Sequence, residues 1–291
     1  MMHISIQGYQ GSFHHIVATF LWGENIKLME RGSFQEVFDD VLKAKTTVGL
    51  VAVENTITGS IVETLDLLSL QPVTIVGEVI LHIKQNLITL PGAKLENLRT
   101  VYSHPVALRQ CLDFFKPYPH IKLVATDDTG GSVRKIVEEN DITQGSVASI
   151  LAAKLYGGRV LTKNIESNKE NFTRFLIITH KDADKQAIIA RSPQLAAEKK
   201  KNASLKVTTI LHLPHRPGEL AKCLNVIAVT GGNIMRIESR PLQGKPWEYT
   251  IHIDIAVATR EIADKLISNL NPLVEINDVK GVYTPALMAE S

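Results

Sequence analysis

Four times within the first 180 residues, a short apolar run ends in a polar turn that opens an amphipathic helix, the recurrence expected of parallel βα units. The spacing predicts strands over 3–7, 26–29, 48–53 and 73–83. Ser33-x-x-Glu36 and Ser60-x-x-Glu63 carry the capping-box spacing, in which each side chain meets a backbone donor of the other residue, so a helix is expected to start at each. A second group follows: a strand over 100–102, a helix over 105–115, a strand over 122–125, a helix over 131–139 and a strand over 146–149. An apolar run over 175–179 reads as a closing strand.

The pattern changes after residue 180. Residues 181–204 contain KDADKQ, an Arg191-Ser192-Pro193 break and the run Glu198-Lys199-Lys200-Lys201, and read as a linker whose charges lie on a solvated face. Beyond it Leu205, Val207, Thr209, Leu211 and Leu213 alternate with other residues, as do Trp247, Tyr249, Ile251, Ile253 and Ile255, the period of half-buried strands. With helices over 218–229 and 259–270 and strands over 233–240 and 274–282, the order is βαββαβ, a ferredoxin-like unit that often pairs with a copy of itself.

At 291 residues and 44% hydrophobic content the chain is long enough for two domains, each with its own core. Lys and Arg number 32 against 30 Asp and Glu, a net charge of +2, too balanced for a nucleic-acid binder working by its overall field. Residues 1–180 hold 17 basic and 18 acidic side chains, for −1, and residues 181–291 hold 15 and 12, for +3. An anionic ligand therefore has to be held by local groups. No run reaches the ~18 uncharged apolar residues of a membrane span, and MMHISIQG lacks the layout of a secretion signal, so the cytoplasm is the expected location. Cys111 and Cys223 are far apart and fit reduced thiols. The ten histidines show no H-E-x-x-H spacing and pair with no Cys motif, so no metal site is expected. Ser12, Ser60 and Ser103 lack a G-x-S-x-G elbow, which argues against a serine hydrolase.

The polar turns sit where open α/β sheets bind ligands, beyond the carboxyl ends of the strands. Gly8-x-x-Gly11-Ser12-Phe13 can either bring backbone N–H groups to an anion or simply make a tight turn. Glu54-Asn55-Thr56-x-x-Gly59-Ser60 offers a carboxylate, an amide and a hydroxyl. Ser103-His104-Pro105 is a capped helix start, and a spacing of seven puts Gln110 on the face of Ser103. Thr126-Asp127-Asp128-Thr129-Gly130-Gly131-Ser132 is another such turn, and ordinary capping competes with ligand binding at each. Asn171-Phe172-Thr173-Arg174-Phe175 places a guanidinium at the start of an apolar strand, suited to gripping a carboxylate or to a surface ion pair. In the C-terminal unit, His215-Arg216-Pro217-Gly218-Glu219-Leu220 and Glu238-Ser239-Arg240-Pro241 could receive the carboxylate and ammonium of an amino acid, or serve as a turn and a dimer contact.

In this order the motifs resemble those of the prephenate dehydratase family over almost the whole chain: Glu54 to Ser60 its E-N-S-x-x-G-S, Ser103-His104-Pro105 its S-H-P, and Asn171-x-Thr173-Arg174-Phe175 its N-x-T-R-F. His215 to Leu220 is similar to the effector turn of an ACT domain, with Glu219 in the place of alanine, and Glu238 to Pro241 reproduces E-S-R-P. Tyr9 stands where proline is common, His14 where a small hydroxyl residue is, and Val106 where glutamine often follows S-H-P. The resemblance implies a type II periplasmic-binding-protein-like catalytic region over 1–180, with two lobes (the second about 77–157) around a cleft, then a regulatory ACT domain over 205–285. It implies decarboxylating dehydration of prephenate to phenylpyruvate on the phenylalanine pathway with no organic cofactor, feedback control by L-phenylalanine, and a homodimer or homotetramer. Arogenate dehydratase is the related alternative; a ligand sensor without turnover is the alternative of another class. By the same resemblance Thr173 donates a proton to the leaving hydroxyl, with Glu54 in reserve as the acid, and Arg174 clamps a carboxylate. Asn55, Thr56, Ser103, Gln110 and Phe175 position the substrate, and Gly218, Glu219, Leu220, Glu238, Ser239 and Arg240 hold the effector.

Overall fold

The computed structural model describes residues 2–44, 47–201, 204–242, 245 and 247–291; the side chains of 200 and 201 are outside the description. The chain opens β1 (Met2–Gln7), α1 (Phe13–Trp22), β2 (Ile26–Arg31), α2 (Phe34–Lys43), β3 (Thr47–Asn55), β4 (Gly59–Ser60), α3 (Val62–Leu70) and β5 (Val73–His82). It crosses into a second lobe of β6 (Asn86–Thr89), β7 (Thr100–Ser103), α4 (Pro105–Gln110), α5 (Leu112–Phe115), β8 (Lys122–Ala125), α6 (Thr129–Glu139), β9 (Gln144–Ala148), α7 (Ile150–Tyr156) and β10 (Arg159–Thr162). It returns as β11 (Phe172–His180), runs through α8 (Lys185–Ala190) and α9 (Pro193–Lys201), and enters a third unit. That unit is β12 (Leu205–His212), α10 (Glu219–Val229), β13 (Asn233–Pro241), β14 (Tyr249–Val257), α11 (Arg260–Leu270) and β15 (Ile276–Tyr283), followed by β16 (Leu287–Glu290).

The first lobe is built on the order β16-β5-β11-β3-β1-β2, the second on β10-β6-β9-β7-β8. The β1/β2/β3 and β7/β8/β9 pairs are parallel, while β11 runs antiparallel between β3 and β5. Burial on both faces explains the unbroken apolar runs: Val48, Leu50, Val51 and Val53 of β3 and Phe175 to Ile178 of β11 are all buried. Because β5 belongs wholly to the first sheet, the second lobe's strands span 86–162, not the expected 77–157.

Local chemistry accounts for most element ends, and for the places where expectation and structure part. Ser33 and Glu36 form the full capping box of α2. The Ser60-Glu63 box does not form: α3 starts at Val62 behind Ile61, and the Ser60 hydroxyl is drawn instead to Glu238 of the third unit. The helix expected over 105–115 breaks at Cys111 into α4 and α5. The supposed linker holds α8 and α9, because Ile188 and Leu195 bury in the first lobe's core and the Ser192 hydroxyl donates to Leu21 O at 2.8 Å. Of its charge run, only Glu198 and Lys199 have described side chains, with Lys199 donating to Gln186 Oε1.

The third unit has the order β13-β14-β12-β15, all antiparallel, with α10 and α11 on one face: the ferredoxin-like βαββαβ topology. Val207, Leu211, Ile251, Ile253 and Ile255 face the helices. The alternate residues Lys206, Thr208, His252 and Asp254 are buried on the other face, against the first lobe. From this unit the chain returns to the first sheet, where β16 lies parallel to β5.

Candidate active site

Between the lobes lies a cavity of about 420 Å³, within the range of small-molecule sites. Thr173 and Phe175 reach it from β11, Asn55 from the end of β3, and Gln110 from α4 across the cleft. Asn55 organises this wall. Its Nδ2 donates to Asn171 Oδ1 (2.8 Å), Phe172 O (3.1 Å) and Thr173 Oγ1 (3.0 Å). Its Oδ1 accepts from the amides of Ile57 and Thr58, both at 3.0 Å, which fixes the amide's orientation. Thr173 Oγ1 therefore accepts from Asn55, and its own proton is free to point into the cleft. Asn171 Nδ2 donates to Gln110 Oε1 (3.0 Å), which also accepts from Gln85 Nε2 (3.2 Å), so one amide network spans both lobes and a crossing segment.

Among the described residues lining the cavity there is no lysine or arginine. Positive potential comes from helix starts: the first turns of α1 and α2 line the wall, where Phe13, His14 and Phe34 have amides with no partner four residues back, whereas Ser12 N already donates to Tyr9 O and Ser33 N to Glu36 Oε2. The start of α6 is already occupied. Asp128 accepts from Gly131 N at 2.7 Å and from the Tyr9 amide of the other lobe; burial pushes this carboxyl up, against the pull of those backbone donors. A Cβ on Gly8 would lie 2.6 Å from the Asp128 carboxylate, and φ there is +93°. The Gly8 to Gly11 turn is thus filled by lobe-to-lobe contacts, including Ser149 Oγ to Gly11 O at 2.6 Å. Its anion-binding reading gives way to a latch. His14 is buried edge-on to Phe175 with ring centroids 4.9 Å apart, and burial pushes its pKa down to about 3, so it stays neutral.

Several expected site residues stand elsewhere. Arg174 does not enter the cavity: successive strand residues face opposite ways, so its side chain lies behind β11. There its Nε meets Glu78 Oε2 at 2.7 Å and its Nη1 meets Asp254 Oδ2 at 2.5 Å. Glu54 is on that same side, 3.8 Å from Arg174 and 41% exposed, away from the cavity. Ser103 is fully buried at the end of β7 and donates to Val147 O at 2.6 Å; as a strand residue it does not share the face of Gln110. Thr56 braces a loop, donating to Glu170 O (2.7 Å) and accepting from Phe172 N (2.9 Å). Missed by the sequence reading were Gln85 and the cavity-facing start of α2, although the Ser33 capping box marked that helix; the start of α1 was read as an anion-binding turn, and of it Ser12, Phe13 and His14 reach the cavity.

A second, smaller cavity of about 160 Å³ lies in the third unit, lined by His215, Arg216, Glu219 and Leu220 and by Glu248 and Tyr249. Gly218 caps α10 beside it with φ +87°. Glu238 and Arg240 turn away toward the first lobe: Glu238 meets Ser60, and Arg240 grips Asp66 with two 3.0 Å hydrogen bonds. Ser239, between them, is exposed and outside the lining.

The family model for prephenate dehydratase matches residues 4–183, a span that contains the second lobe, β11 and the rest of the first lobe's sheet except β16 and the first residues of β1. The chain belongs to the prephenate dehydratase family. Members of this family are carbon–oxygen lyases. The bifunctional chorismate mutase/prephenate dehydratase of Aquifex aeolicus is 30% identical over 99% of this chain and 75% of its own length. The arogenate dehydratase/prephenate dehydratase 2 of Arabidopsis thaliana chloroplasts is 30% identical over 97% of this chain and 72% of its own. Across such curated relatives the chain spans between 62% and 75% of their length. The crystal structure of prephenate dehydratase from Arthrobacter aurescens in complex with L-Phe superposes with a TM-score of 0.82 at 23% identity, covering 99% of this chain and 93% of that one. Among the described residues no helix is long and apolar enough to cross a membrane.

Proposed function

We propose that the cleft converts prephenate to phenylpyruvate, with Thr173 at the reacting hydroxyl. Prephenate is a dianion. The bond to its ring carboxylate breaks, carbon dioxide leaves, and the electron pair aromatises the ring while expelling the ring hydroxyl, which needs a proton to leave as water. The observation that carries the reading is the Asn55–Thr173 hydrogen bond, which turns the threonine proton toward the cavity. Threonine is a poor acid, so it serves as a strong hydrogen-bond donor to the departing oxygen, in the manner of oxyanion stabilisation. The amides at the starts of α1 and α2 take the place first assigned to Arg174 in holding carboxylates. Gln110 and Phe175 close the walls. A dianion held by helix starts and neutral donors is bound without an over-strong grip on the carboxylate that must leave. No bound cofactor enters this chemistry.

Arogenate, the amino analogue, is the second reading, supported by the carboxylates of Glu63 and Asp127 among the lining groups, since an ammonium needs acceptors. Turnover measured side by side on the two substrates decides between them, and binding without product from either would leave a sensor. For the third unit we propose an ACT-type regulatory role in which L-phenylalanine binds the smaller cavity, with Glu219, Leu220 and the Gly218 turn as contacts. Glu238 and Arg240 then serve the domain interface. Met235 and Ile237, exposed on the edge strand β13, fit a homo-oligomeric contact in a cytoplasmic protein. Loss of phenylalanine inhibition on substitution of Glu219, with turnover kept, tests the effector site.

A further inference from the structure

Behind β11, on the face away from the cleft, four ionised groups are packed between the first lobe and the ferredoxin-like sheet. Arg174 and Lys206 balance Glu78 and Asp254, and none is more than 9% exposed. The Arg174 nitrogens go to separate elements: Nε to Glu78 on β5, Nη1 to Asp254 on β14, and Nη2 to the Tyr283 hydroxyl on β15 at 3.3 Å. Lys206 of β12 bonds the second oxygen of Glu78, and the Thr208 hydroxyl donates to the second oxygen of Asp254 at 2.6 Å. A buried ion cluster contributes little net stability, because desolvation offsets the attraction; what it can do is fix a geometry.

The geometry at stake is local. In the β11/β3 ladder Thr173 pairs with Asn55 and Arg174 with Glu54, but Phe175 pairs with Ala52, so Val53 is the extra residue of a bulge. Bulges re-aim the side chains around them and are common beside active sites. This one lies in β3 and brings Asn55 to the cavity side along with Ala52, so that Asn55 meets Thr173, which regular alternation along β11 already aims there; Arg174 is the β11 residue at which the register shifts.

We infer that Arg174 is a positioning residue: anchored by Asp254 and Tyr283 of the ferredoxin-like unit, it holds the bulge that sets Asn55 against Thr173 at the cleft. The third unit is then part of the catalytic apparatus even with no effector bound. A shift of its sheet is carried to the reacting hydroxyl through charged hydrogen bonds and one strand residue. This rests on the reading of Thr173 given above.

The test uses the full chain and prephenate turnover. Asp254→Asn keeps the shape and Thr208's acceptor but removes the charge; it is expected to lower kcat about ten- to a hundredfold, the range for small misplacement of a reacting group, with KM within about threefold. Tyr283→Phe keeps all four charges and is expected to lower kcat by a smaller factor. The Arg174→Lys/Asp254→Asn double variant is expected to be no slower than the slower single variant, since the residues act as one unit. Wild-type kcat in a folded Asp254→Asn and in Tyr283→Phe overturns the inference, as do losses that multiply in the double variant. If Asp254→Asn does not fold, Tyr283→Phe decides alone. Thr173→Ala is run in parallel: wild-type turnover there overturns the Thr173 reading itself, whereas loss there beside intact Asp254 and Tyr283 variants overturns only the positioning role.

Discussion

Replacing Thr173 by valine removes one hydroxyl and keeps the side chain's shape. Asn55 Nδ2 loses its 3.0 Å acceptor but keeps Asn171 Oδ1 at 2.8 Å and Phe172 O at 3.1 Å, so neither of its two protons is stranded. The structural cost is that of one replaceable hydrogen bond, about 0.5–1.5 kcal/mol. The catalytic cost is of another size. Losing a donor to developing negative charge in an enclosed site costs about 3–4 kcal/mol of barrier, a fall of roughly 10²–10³ in kcat. The expected result in a steady-state prephenate assay is that fall, with KM little changed, beside a thermal unfolding curve near that of the parent. Thr173→Ser restores the hydroxyl and is expected to stay within about tenfold of the parent. A valine variant that keeps kcat within threefold would refute the assignment, whatever its stability.

Gly8→Ala sets a Cβ 2.6 Å from the Asp128 carboxylate at a φ of +93°, so it is expected to destabilise by about 1–2 kcal/mol and to raise KM by loosening the lobe contact. Thermal unfolding and substrate titration check it, and an equally stable variant contradicts the latch. Glu54→Gln is expected to leave kcat within about twofold, because the carboxylate faces away from the cavity; a hundredfold loss would return Glu54 to the role of acid. Burial lowers His14 to about 3 from an ordinary value near 6.5, so the unfolded chain binds the extra proton between these values. The stability this contributes is complete above pH 6.5 and is lost as pH falls toward 3. His14→Phe, which keeps the ring contact with Phe175, is accordingly expected to move the acid-unfolding midpoint to lower pH, as followed by circular dichroism. An unmoved midpoint would show that His14 is not buried neutral.

Where periodicity is strong the fold was legible. The alternation in β12 and β14 marks the buried face of the third unit, and Ser33 with Glu36 marks the start of α2. β6, β10 and β16 were not read because each takes its stability from a neighbour far off in sequence and lacks the polar strand-to-helix turn that marked the equally short β7 and β8. At the site, adjacency in the motif stood in for adjacency in space. Thr173, Arg174 and Phe175 are consecutive, yet a strand sends the middle one to the opposite face, a signal the period of two already contained. Ser60 and Glu238 carried no such signal. Their contact joins a turn of the first lobe to a strand of the third unit, a pairing that only the docked domains create.

The position of β11 bears on how the molecule is made. The strand that carries Thr173 lies between β3 and β5, but it follows them in the chain by the whole of the second lobe. A growing chain that has emitted β3 and β5 thus has a gap one strand wide at the centre of its first sheet. Nothing can fill that gap until about ninety more residues have left the ribosome. Such distant pairings are slow to form and leave unpaired strand edges open to other chains in the interval. Synthesis should therefore be the period of greatest exposure to chaperones, with the reacting hydroxyl among the late arrivals.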